Sequence, residues 1–90
     1  MLDSVVVRSF DVQVNAARGS TILVRGRDVF DLGDVEEFIW SLCDGTRTVG
    51  QIAAEVVAGF DVDEQTARDD VCEFIGDLRD EKLVELGVPE

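Results

Sequence analysis

The sequence predicts an α+β fold with a winged-helix-turn-helix-like layout: a three-stranded antiparallel sheet followed by three helices. Three observations predict it. Residues 5–32 hold short apolar or alternating runs separated by glycine-bearing turns, the period-2 pattern of half-buried strands. Residues 34–81 change to i, i+3, i+4 apolar periodicity in three segments, each opened by a capping residue. The segment between the first two helices, Asp44-Gly45-Thr46-Arg47, is short and has helix–turn–helix character. The chain reads as one domain over residues 1–90, with strands about 5–32 and helices about 34–81.

In the first third, Val5-Val6-Val7 is a β-branched run, and Phe10, Val12 and Val14 alternate with Asp11, Gln13 and Asn15. Ala16-Ala17-Arg18-Gly19-Ser20 reads as a turn in which Gly19 accepts positive φ. Thr21-Ile22-Leu23-Val24 is the next strand, and Arg25-Gly26-Arg27 turns the chain. Asp28-Val29-Phe30-Asp31-Leu32 is the last strand, with Phe30 and Leu32 on one face and Val29 and Asp31 on the other. Together they predict a small antiparallel meander.

Gly33 ends the sheet. Asp34 is the expected N-cap of the first helix, answered by Glu37. Val35, Phe38, Ile39 and Leu42 form its stripe, and Asp44-Gly45 closes it. Thr48 and Gln51 form a capping box for the second helix, whose stripe is Val49, Ile52, Ala53, Val56, Val57 and Phe60, with Gly59 near its end. Asp63 caps the third helix, and Ala67, Val71, Phe74, Ile75 and Leu78 make its buried face. Leu83-Val84-Glu85-Leu86 reads as a short terminal strand or an extended tail, and Gly87 and Pro89 stop regular structure.

Composition narrows the function. Ninety residues with 46% hydrophobic content argue for a globular chain rather than a disordered one. A chain of this size buries only about 60–65% of its unfolded surface, so its core must be compact. No apolar run is long enough to span a bilayer, and the N-terminus lacks the basic-then-apolar pattern of a signal peptide. The net charge is −12. Residues 1–30 hold four basic and three acidic side chains, so the remaining four basic and 17 acidic ones make the helical part strongly acidic. Such a surface repels phosphate backbones and argues against nucleic acid as a partner. The third helix, the one that would enter a DNA groove, carries Asp63, Glu64, Asp69, Asp70, Glu73, Asp77, Asp80 and Glu81 against Arg68 and Arg79.

Chemistry-bearing patterns are sparse. There is no histidine, so a Ser or Cys nucleophile lacks its usual base and a Cys/His zinc site lacks ligands. Cys43 and Cys72 each sit in a helical apolar pattern, where free cysteine behaves as a small buried hydrophobe; a reducing cytoplasm fits that reading. The paired carboxylates alternate with the apolar stripes and so face solvent. Asp61-Val62-Asp63-Glu64 resembles the opening of a calcium loop but lacks its glycine and closing glutamate, and reads as a turn plus N-cap. Trp40, the one tryptophan, is expected at the helix–sheet boundary. What remains is a strand at a sheet edge, residues 27–32, beside an amphipathic helix. An exposed edge is covered, blunted or used, and its use is the addition of an extended peptide as a further strand. Arg25 and Arg27 flank that edge, either to steer an acidic peptide or to blunt the edge.

The run L-G-D-V-E-E-F-I-W-S-L-C-D-G-T-R-T-V-G-Q-I, then F-D-V-D, D-V-C-E-F-I-G-D-L and K-L-V-E, is similar to the PqqD-like family. These are small domains that recognise precursor peptides of ribosomally synthesised, post-translationally modified peptides. The matching positions are Leu32, Ile39-Trp40, Leu42, Asp44-Gly45, Thr48-Val49, Ile52, Phe60, Val62-Asp63, Val71, Leu78 and Leu83-Val84. The chain departs from the pattern at Gly33, Glu36 and Lys82, the last where the family carries glycine. The resemblance implies that a leader peptide binds as an added strand in the groove between the third strand and the third helix. Carried over by position, the site is Arg27, Asp28, Val29, Phe30 and Asp31 on the strand and Arg68, Val71, Cys72, Ile75 and Arg79 on the helix.

The resemblance also implies a partner maturation enzyme, a radical-SAM maturase or a lasso-type leader protease, and no cofactor, metal or catalysis in this chain. The expected protein is a cytoplasmic monomer or weak dimer that binds a leader and delivers it. The competing readings are a winged-helix DNA-binding regulator and a structural adaptor of a maturase complex. The acidic third helix implies a leader anchored by apolar contacts, or held mainly near Arg25 and Arg27.

Overall fold

The computed structural model describes residues 2–17 and 19–87. The strands are β1 (Val5–Arg8), β2 (Gln13–Ala17), β3 (Ser20–Arg25), β4 (Asp28–Leu32), β5 (Asp44–Thr48) and β6 (Val84–Gly87). The helices are α1 (Asp34–Ser41), α2 (Val49–Phe60) and α3 (Glu64–Asp80). The strands form two antiparallel three-stranded sheets, ordered β5-β1-β6 and β2-β3-β4. The fold is thus mixed α+β with three helices, but one sheet followed by three helices is not its order: β5 lies between α1 and α2, and β6 follows α3.

Two expectations change for one reason. Val5-Val6-Val7 does form a strand, yet it pairs with β5 and β6 rather than joining the meander. Val6 is fully buried at the centre of that sheet. A central strand needs a partner on each side, and Asp44-Gly45-Thr46-Arg47-Thr48 supplies one, with Val7 opposite Asp44 and Val5 opposite Thr48. What reads locally as a helix–turn–helix turn is therefore an edge strand, entered through Gly45 at φ +84. Within it Asp44 accepts from the Thr46 hydroxyl and backbone N–H and pairs with Arg47 at 3.1 Å, contacts that hold its carboxyl below the usual range.

The meander survives as β2-β3-β4. Phe10, expected in its first strand, instead lies fully exposed in the turn before β2. Gly26, at φ +60, and Arg27 form the two-residue turn of the β3–β4 hairpin, the position where a mainly-glycine conformation matches the strand twist. Of the turn expected over residues 16–20, Arg18 lies outside the described residues, as does Pro89 near the C-terminus.

Asp34 is the first helical residue of α1 rather than its cap; Gly33 holds the cap position without a side-chain bond. Asp34, Glu36 and Glu37 put negative charge on the first turn, where the helix dipole favours it. The α2 capping box is present: Thr48 Oγ1 accepts from Gln51 N at 3.1 Å and Gln51 Oε1 accepts from Thr48 N at 2.8 Å. Two more donors of that first turn, the N–H groups of Val49 and Gly50, reach the carbonyls of Ser4 and Leu2. Asp63 caps α3 through Thr66, which holds its carboxyl below the usual range. The three helix stripes, Val6, Leu23, Leu32 and Val84 from the strands, and Leu83 from the turn before β6 fill one core.

Trp40 is 5% exposed at the helix–sheet boundary, as expected. The Arg8 guanidinium from β1 lies 5.9 Å from its ring centroid and donates to its carbonyl at 3.2 Å. Cys43 and Cys72 are free thiols, the first fully buried and the second half-buried against the core.

Candidate functional site

β4 is an edge strand: among the described residues its sole strand neighbour is β3. The β3–β4 register pairs Arg25 with Asp28, Val24 with Val29, Leu23 with Phe30, Ile22 with Asp31 and Thr21 with Leu32. A two-residue hairpin turn makes Arg25–Asp28 a pair that exchanges both backbone bonds, and antiparallel ladders alternate from there. Phe30 and Leu32 therefore bond back to β3, and the backbone N–H and C=O of Val29 and Asp31 face the open edge. Among the described residues, no backbone bond outside the sheet satisfies them.

Beside this edge lies a cavity of about 350 Å³ between β4 and α3. Phe30, Leu32, Phe74, Leu78 and Leu83 give it an apolar floor. Leu32, Leu78 and Leu83 are buried, whereas Phe30 and Phe74 are half-buried and present ring surface. Its rim is acidic: Asp31 from β4, Asp77 and Asp80 from α3, and Glu81 at its C-terminal cap. A second cavity of about 470 Å³ between α1 and α3 shares Phe74 and Asp77 with it, so the two run together along α3. That neighbour adds Asp34, Glu36, Asp70 and Glu73. Among the described residues, no Arg or Lys lines either cavity.

The ten residues expected at the site divide sharply. Arg27, Asp28, Val29, Phe30 and Asp31 do lie together on β4 and its hairpin, and Val29 is 59% exposed. On α3 the carried-over residues do not line this cavity. Val71 and Ile75 are fully buried in the core. Cys72 packs half-buried against the core and lines neither cavity. Arg68 pairs with Glu64 and lines a cleft facing α2. Arg79 lines a different cavity with Arg8, Arg25 and Lys82. The residues of α3 and its cap that wall the groove are Phe74, Asp77, Leu78, Asp80 and Glu81. Phe74 and Leu78 were legible as apolar, but which helix face meets β4 depends on how α3 crosses the sheet, and no local pattern encodes that.

Arg25 is not a free charge at the edge. Its Nε meets Asp11 at 3.1 Å, and its NH1 donates to the carbonyls of Glu81 and Lys82, fastening β3 to the end of α3. Arg27, exposed in the hairpin turn, is the remaining cation there.

An open strand edge running beside an apolar, helix-walled groove, in a small α+β domain, is an arrangement to which an extended chain can add as a further strand. This chain belongs to the PqqD family: residues 20–84 match the family described as coenzyme PQQ synthesis protein D. It is 33% identical over 75 residues to the PqqA binding protein of Xanthomonas axonopodis pv. citri (strain 306), covering 83% of this chain and 82% of that protein. Two solved structures share the fold. TbiB1, in complex with the TbiA(beta) leader peptide, superposes with a TM-score of 0.76 at 24% identity, covering 93% of this chain and 99% of that one. The PqqD truncation of Methylobacterium extorquens PqqCD, a stand-alone recognition element for ribosomally synthesised and modified peptides, gives 0.73 at 24% identity, covering 89% and 87%.

Proposed function

We propose that this protein binds the leader region of a ribosomally synthesised precursor peptide by strand addition at β4 and delivers it to a modifying enzyme. That enzyme would be a radical-SAM maturase or a lasso-type leader protease. The observation that carries the reading is the pair of outward-facing backbone positions, Val29 and Asp31, beside an apolar cavity sized for a few side chains. The relatives support it: one is named for binding PqqA, and one was solved with a leader peptide in place. Residues 1–90 act as one recognition domain of winged-helix-like kinship, working in the cytoplasm without catalysis or cofactor of its own. Among the described residues, no helix is long and apolar enough to cross a membrane.

Amide hydrogen exchange with the cognate precursor peptide tests the mode. The Val29 and Asp31 amides slow on binding, while Phe30, already bonded to β3, changes little. Val29→Pro removes one outward donor without touching the ladder. Its leader affinity falls tenfold or more, about 1.4 kcal/mol, with the thermal transition retained. Unchanged exchange at Val29 in the saturated complex, or full affinity in Val29→Pro, moves the site off β4.

A further inference from the structure

We infer that the groove selects a cationic peptide: an extended segment carrying Lys or Arg at alternating positions around an apolar anchor. This rests on the strand-addition reading above and names the chemistry of what that edge accepts.

Three features carry it. First, the groove wall is of one sign. Asp31, Asp77, Asp80 and Glu81 rim the β4–α3 cavity, and Asp70 and Glu73 extend the same rim along α3, with no cation lining either cavity among the described residues. Second, the nearby cations leave most of that wall uncompensated. Arg25 is bound to Asp11 and to the carbonyls of Glu81 and Lys82, Arg68 faces α2, Lys82 lines a separate cavity, and the exposed Arg27 lines neither groove cavity. Arg79 lines that separate cavity too and meets Asp80 at 3.6 Å, an exposed pair; among the described residues Asp31, Asp77 and Glu81 have no ion-pair partner.

Third, the spacings agree. Carboxylates four residues apart on a helix, as Glu73, Asp77 and Glu81 are, stand about 6 Å apart along its axis. Same-face residues of an extended strand stand about 6.8 Å apart. Where an added strand runs alongside α3, its successive α3-facing side chains would meet successive carboxylates, and Phe30, Phe74 and Leu78 would receive the apolar one. An acidic peptide in the same place would put like charges side by side in a half-enclosed groove.

The test uses the full chain and three labelled synthetic peptides of about ten residues, long enough to span the edge. They share one central apolar anchor and alternate Lys, Ser or Glu with Thr. Fluorescence polarisation is read at about 50 mM and about 300 mM NaCl, across the range where screening shortens. The Lys peptide binds about tenfold tighter than the Glu peptide, the sum of two or three partly exposed ion pairs, and salt narrows the gap.

The charge-reversed pair Asp77→Lys with Glu81→Lys erases or inverts that order. The pair Asp3→Lys with Glu55→Lys, equal in charge change but lining neither groove cavity, leaves it in place. Val29→Pro weakens all three peptides.

Equal binding of the three peptides, still weakened by Val29→Pro, overturns charge selection while strand addition stands. A preference that survives the groove reversal, or that the off-groove pair erases equally, overturns it in favour of diffuse attraction to an acidic protein. Binding by none of the three overturns it as well, and strand addition is then judged on the exchange experiment with the precursor peptide.

Discussion

Lys82 stands where the resemblance to the family leads one to expect glycine, and the structure shows why glycine suits the place. Its φ is +61, in the left-handed region. Its N–H reaches the Arg79 carbonyl at 2.9 Å and Leu83 N–H reaches Leu78 at 2.8 Å, the paired bonds of a Schellman ending to α3. A side chain at this position works against backbone sterics. Lys82→Gly relieves that strain but loosens the unfolded chain, so the net gain is roughly 0.5 kcal/mol, about 2–4 °C in Tm by calorimetry.

Cys43 gives a second prediction at this scale. Burial pushes its thiol up to about 12 from the ordinary 9.0, despite Arg8 pulling the other way. An acid whose folded pKa is raised stabilises the fold fully below the unfolded value and progressively less as pH climbs toward the folded one. Between pH 9 and 12, stability therefore falls with a limiting slope of about 1.4 kcal/mol per pH unit. The chain has no tyrosine and a single lysine, so few other side chains cross that window. Denaturant melts across it show the slope, and Cys43→Ala flattens it.

Among the elements, the helices and the edge strand differ in how their stability and function separate. The α2 capping box satisfies two backbone donors by reciprocal side-chain bonds. Thr48→Ala removes one of them and costs about 1 kcal/mol, or roughly 4–8 °C, read in a thermal melt. Peptide affinity stays unchanged, because Thr48 lies on neither wall of the groove. β4 behaves in the opposite way. Its inward residue Leu32 fixes it to the core, and its outward backbone groups at Val29 and Asp31 make no hydrogen bond within the fold among the described residues, so substitutions of those groups act on binding first.

Both elements were legible locally. Thr48 and Gln51 carry a capping signature three residues apart, and Val29/Phe30/Asp31/Leu32 alternate with period 2. The Asp34 cap was not, because an acidic residue just before an apolar stripe fits the cap and the first turn equally well. Here backbone geometry puts Gly33 at the cap.

For the whole molecule, the chain determined by itself the three helices, two of their caps, the β2-β3-β4 meander, the buried thiol and indole, and the overall acidity. These follow from near-neighbour periodicity and composition, which act over a few residues. Tertiary structure alone decided three matters. β1 lies between β5 and β6 because a buried central strand takes whichever segments reach its two edges, and Val84 is 76 positions from Arg8. Asp44–Thr48 becomes a strand because β1 has an edge to cover, against its own turn-like composition. The groove wall is Phe74, Asp77, Leu78 and Glu81 rather than Arg68, Val71, Cys72, Ile75 and Arg79 because the crossing of α3 over β4 selects the face. The acidic charge was plain in the sequence, but only the packing of α3 against an open edge turns part of it into the wall of a groove.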